Sequence, residues 1–234
     1  MNKEFVNKTV LPGVRSKNQQ AEAPLAHYRA LYETLDPEEI ARRCGLAFDK
    51  DAGYFSLRLM GTEYRAAFPE FEVWEPSQQA AAQQIMGVPG LNPYEQILII
   101  RYLCEGKYFE AQGKRLSYNE IPWGPVYYRN FEGRCLKRLA FAFGNDLGSF
   151  RRIMEEWSAL GAIPLDQGDA AYHASYRFEF LNGLFISLLL WAGDDEFPPS
   201  AQILFDDNFV FAFTAEDLAA VGEVVIDRLK KRRT

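Results

Sequence analysis

The sequence predicts a single α+β domain, a mixed or mainly antiparallel sheet flanked by helices. Three observations carry that expectation. Helix punctuation recurs between residues 24 and 160, apolar runs of strand length take over from Ala171, and 234 residues at 48% hydrophobic content are enough to bury one large core.

Residues 1–23 are polar and aperiodic and stop at Pro24, which predicts an N-terminal arm or tail ahead of the domain at 24–234. A helix is expected from about Leu25 to Leu35. A second is announced by Asp36 as N-cap, Pro37 as a preset first residue and Glu39 as a capping carboxylate, with Gly45 closing it. Phe55, Leu57 and Leu59 alternate with polar neighbours, and the alternation resumes after Gly61 through Tyr64, Ala66 and Phe68, so a small meander is expected over 53–74. Asn92, Pro93 and Glu95 open a helix to about Glu105 whose run Ile97–Ile100 with Leu103 is apolar nearly all round, the mark of a central helix. Amphipathic helices follow at about Val126–Phe143 and Leu147–Leu160, the latter stopped by Gly161.

The last third reads as strands. Ala171–Phe180 and Leu184–Trp191 flank an Asn182-Gly183 turn, and the unbroken apolar run of the second predicts a central strand covered on both faces. After the acidic turn at 194–196, Gln202–Phe205 and Phe209–Phe213 read as two short strands around an Asp206-Asp207-Asn208 turn. Thr214 and Asp217 then cap a final helix carrying Leu218, Val221, Val225 and Leu229 on one face.

Composition excludes some functions. A net charge of −6 opposes a phosphate-covered partner, because nucleic-acid affinity rests on displaced counterions, so nucleic acid is not expected. The basic run Lys230–Arg233 complements the negative end of the last helix. Three cysteines with no CxxC pair suit neither a disulfide framework nor a local zinc or iron–sulfur motif. Lacking an apolar stretch of signal or membrane-spanning length, the chain is expected in the cytoplasm, with no membrane partner.

Asp194, Asp195, Glu196, Asp206 and Asp207 cluster in the sequence, and oxygen-rich clusters suit hard cations. An up-and-down strand path beyond Gly168 separates Asp206 from the first three by about 13 to 17 Å. The same path gathers the loop before Ala171, with Asp166 and Asp169, the 194–199 loop and the start of the last helix at one rim. There the acids act as caps and loop braces, or Asp169, Asp194 and Glu196 hold a metal. A second candidate is the aromatic entrance around Gly124 and Pro125, where Trp123, Tyr127 and Tyr128 either plug the loop to the core or clamp a planar ligand. No nucleophile elbow or phosphate-binding glycine loop occurs, so no catalytic residue is named and the cofactor is left open.

Several segments occur in a shared order: EQILIIRYL from Glu95, Ser117–Tyr128 with Glu120, Ile121 and Pro122, LGAIPLDQGDAAY from Leu160, and LLLWAGDDEFPPSAQILFDDNF followed by TAEDLAAVG. Over roughly residues 25 to 230 they resemble an uncharacterised prokaryotic domain-of-unknown-function family, number 3786, found largely in anaerobes. Some relatives carry an N-terminal four-cysteine iron–sulfur segment, which implies a place near corrinoid or one-carbon metabolism; this chain, with no cysteine before Cys44, cannot hold such a cluster in the same way. Relatives tend to a small residue where Trp123 stands and to a Pro-containing turn at 181–183.

Three functional readings follow. One is a non-catalytic accessory protein that binds a small planar ligand or a partner protein. Another is a divalent-metal-dependent hydrolase or transferase using rim carboxylates. The last is a purely structural partner surface.

Overall fold

The computed structural model describes residues 17–76, 91–165 and 172–233. Helix α1 (Lys17–Tyr32) starts before the expected Leu25 and carries Pro24 inside it. A proline forfeits one backbone hydrogen bond, but Leu25, Tyr28 and Tyr32 pack onto the core and hold the helix through that point. Helix α2 (Pro37–Cys44) is capped by the Asp36 carboxylate at Glu38 N and closed by Gly45 in the left-handed conformation, as predicted, but Glu39 pairs with Arg42 one turn on instead of capping the start.

One antiparallel sheet, ordered β4-β3-β2-β7-β8-β9-β5, organises the domain. Its first section is β1 (Ala47–Asp49), β2 (Tyr54–Leu59), β3 (Thr62–Ala67) and β4 (Val73–Trp74). Its second is β5 (Arg115–Ser117), β6 (Ile163–Pro164), β7 (Ala174–Leu181), β8 (Leu184–Trp191) and β9 (Ser200–Asp206). The sections meet at a single pairing, Leu59 with Leu181. Strands β7 and β8 are joined by Asn182 and Gly183, with φ of 33° and 78°. Positive φ at both central residues suits the twist of a two-residue hairpin, which is why Asn-Gly occurs there.

Strand β8 lies between β7 and β9 and is buried along nearly its whole length. Leu184, Ile186, Leu188 and Leu190 are fully withdrawn from water. On the opposite face Arg177 of β7 pairs with Asp206 of β9 at 2.5 Å, its guanidinium 4.0 Å from the Phe185 ring.

Helix α3 (Pro93–Glu105) opens with a reciprocal Asn92/Glu95 capping box and packs between α1 and the last helix. Helix α4 (Gly124–Phe131) continues through a π-helical turn, Glu132–Leu136, into α5 (Lys137–Phe143). The wider turn sets Cys135 against the last helix, its Sγ donating to Ala219 O. Helix α6 (Leu147–Glu156) follows.

Beyond β9 the chain departs from the strand reading. Residues Phe209–Ala212 form a short helix, α7, with Phe209, Ala212 and Phe213 buried and Phe211 half exposed. The Asp206-Asp207-Asn208 segment is therefore no hairpin turn. Asp206 sits in the ion pair, Asp207 accepts the amides of Gln112 and Lys114, and Asn208 donates to Phe109 O and Gly183 O.

Helix α8 (Ala215–Arg233) then runs back over the helical layer. Without a returning strand at 209–213, its start lies at the Gly183 end of the sheet. Its C-terminus reaches the other end, where Arg233 bonds Ala142 O and pairs with Asp146. The expected gathering of that helix start with the 194–199 loop is thereby overturned. No helix among the described residues is long and apolar enough to cross a membrane.

Candidate functional site

Two junctions build a groove of about 620 Å³ where α4 begins. Ile121, Pro122, Trp123, Val126 and Tyr127 form one side, Val210 and Phe213–Glu216 the other, and Arg101 of α3 completes the lining. That volume falls in the range of small-molecule sites.

The first wall is fixed by Tyr118 in a 3₁₀ turn (Tyr118–Glu120) whose start is braced by a Ser117/Glu120 capping box. Its ring stacks on Phe131 at 3.9 Å and 7°, and its hydroxyl donates to Ala215 O at 2.6 Å. Burial pushes that hydroxyl up to about 12, so it stays protonated and keeps its role as donor. One side chain thus joins the entrance of α4 to the start of α8.

Gly124 opens α4 with its backbone against Tyr118. A Cβ there would overlap the Tyr118 carbonyl oxygen, so only glycine fits. The preceding Trp123 takes φ 65°, ψ −1°, a left-handed conformation that bulky residues rarely adopt. Trp123 is nevertheless 75% exposed, Val126 72% and Tyr127 42%. Trp123 and Tyr127, singled out from the sequence, line the same groove; Tyr128 turns away and packs against the core.

The second wall is set by Thr214 and Asp217. Asp217 Oδ2 accepts from Thr214 N at 3.0 Å and from its hydroxyl at 2.7 Å. Oδ1 lies 2.6 Å from Arg101 Nη1. Burial raises the Asp217 carboxyl above its usual value, opposed by Arg101 and the Thr214 bonds. Arg101 also reaches Glu105 at 3.4 Å and lies 5.2 Å from the Tyr28 ring centroid, while its buried Nε has no hydrogen-bond partner.

The cap at 214–217 was readable from its spacing. Arg101 was not singled out, although a lone cation in the apolar run ILIIRYL is the signal that would have marked it. Nothing local in the sequence connects it to Asp217.

The carboxylate rim takes another form. Asp194 Oδ1 accepts the amides of Phe197 at 2.7 Å and Glu196 at 2.9 Å, which hold its carboxyl below the usual range. Its oxygen braces its own loop, and Glu196 is exposed. Asp166 and Asp169 lie outside the described residues. Among the described residues no three His, Cys, Asp or Glu side chains are grouped to hold a metal ion.

The family model described as a domain of unknown function (DUF3786) matches residues 36–228. No curated protein and no solved structure matches the chain.

Proposed function

The chain belongs to the DUF3786 family, and on that premise we propose that it is a non-catalytic binding protein whose groove at the start of α4 receives a planar ligand. The observation that carries this reading is Trp123. A left-handed backbone costs a non-glycine residue about 1 to 2 kcal/mol, and a side chain that remains 75% exposed returns little of that through burial. Strain kept at an exposed aromatic beside a groove of this size fits a ligand platform.

Tyr127 extends the platform, and Phe213 with Val210 supplies an apolar facing wall. A flat ring entering between them would bury apolar surface on both of its faces. The family resemblance directs attention to corrinoid and one-carbon chemistry as the setting.

A thermal-shift screen against cobalamin, folates and simple fused-ring compounds tests the reading, followed by the Trp123 indole N–H resonance. A ligand at one hundred times its dissociation constant stabilises the fold by about 2.7 kcal/mol. A shift that also moves the Trp123 resonance supports the groove. A screen that moves neither favours a partner protein docking over Trp123, Val126 and Tyr127 in its place.

A further inference from the structure

We infer that the groove selects an uncharged planar ligand and rejects its anionic counterpart; this rests on the binding role proposed above. Among the described residues Arg101 is the only cation in the lining, and it invites the opposite reading, that of a carboxylate anchor. Its charge is already answered. Nη1 is held 2.6 Å from Asp217, Nη2 is 3.4 Å from Glu105, and Asp217 is almost fully buried.

The positive end of α8 is likewise answered from within. Asp217 accepts the Thr214 amide, and Glu216 adds a second carboxylate to the first turn. An arriving anion would therefore meet a guanidinium already flanked by Asp217 and Glu105, and beside it in the lining the carboxylate of Glu216. Arg101 Nε–H gives an anion nothing further, because it is itself buried. An uncharged ring meets none of this carboxylate charge and still buries its faces against Trp123, Val210 and Phe213.

Three probes of one shape separate the alternatives: 2-naphthamide, 2-naphthoate and 2-naphthamidinium, each titrated into the full chain while the Trp123 indole resonance is followed. The amide is expected to bind at least tenfold more tightly than the naphthoate. Glu216→Gln, at an exposed position, should raise naphthoate affinity about threefold. Naphthoate binding as tightly as the amide would make Arg101 an anion anchor, and amidinium binding most tightly would make Glu216 a cation site; either result overturns the inference. An unchanged naphthoate affinity in Glu216→Gln also contradicts it. If no probe moves the Trp123 resonance, the binding role itself fails, an outcome distinct from a wrong charge preference.

Discussion

Arg101 Nη1 and Asp217 Oδ1 stand 2.6 Å apart, joining the middle of α3 to the first turn of α8 with both side chains largely withdrawn from water. The pair sets the groove's second wall, because Asp217 spends its other oxygen on Thr214. Asp217→Ala removes a helix cap and leaves a buried guanidinium short of its main partner. The expected cost is about 3 kcal/mol. Urea unfolding measures it, and Asp217→Asn, which keeps an acceptor for the cap, should lose less.

Gly124→Ala tests the close approach between α4 and the 3₁₀ turn. The added methyl overlaps the Tyr118 carbonyl, and Tyr118 cannot yield easily while stacked on Phe131 and bonded to Ala215. A loss of about 3 kcal/mol is expected, at the upper end of overpacking. Since any relief displaces Trp123, probe binding should weaken as well, and calorimetry reads both.

Glu179 gives a pH dependence of definite sign. Burial pushes its carboxyl up, but hydrogen bonds from Arg58 and from the Gly183 amide outweigh that and leave it below the usual value. With the folded value lowered, the unfolded chain binds more protons in that window, so this contribution is complete above about pH 4.3 and fades as pH falls through the folded value. Glu179→Gln should cost about 1 kcal/mol at pH 7, a modest figure because Arg58 is half exposed. The gap between wild type and variant should narrow as pH falls from 7 through the folded value, as measured by denaturant unfolding across that range.

Much of the fold was legible because its signals are local. Asn92 with Glu95, Asp36 with Pro37, Asn182-Gly183 and Thr214 with Asp217 each satisfy backbone groups within a few residues, and each occurs as its spacing predicts. The unbroken apolar run at Leu184–Trp191 likewise marked the central strand. Residues 209–213 misled because five apolar residues are ambiguous between strand and helix. Burial of Phe209, Ala212 and Phe213 with Phe211 outward is the i, i+3, i+4 pattern, which was present in FVFAF but too short to decide.

That one segment reversed the placement of α8 and carried Thr214 away from the acidic loop. In the candidate site, the aromatic lip at Trp123 and Tyr127 was legible, since exposed rings at a Gly-Pro helix start stand out. The wall opposite was not, because it depends on Arg101 and Asp217 meeting across the helical layer.

Trp123 keeps a left-handed backbone although its side chain is exposed, and the proposed ligand platform depends on that combination. Trp123→Gly places the residue best suited to φ 65° at that position and removes the platform in the same step. Thermal unfolding and 2-naphthamide binding measured side by side on this variant give the most direct test. The expected result is a gain of about 1 kcal/mol in stability together with loss of binding. A variant that is less stable than wild type, or that binds the probe undiminished, would contradict it.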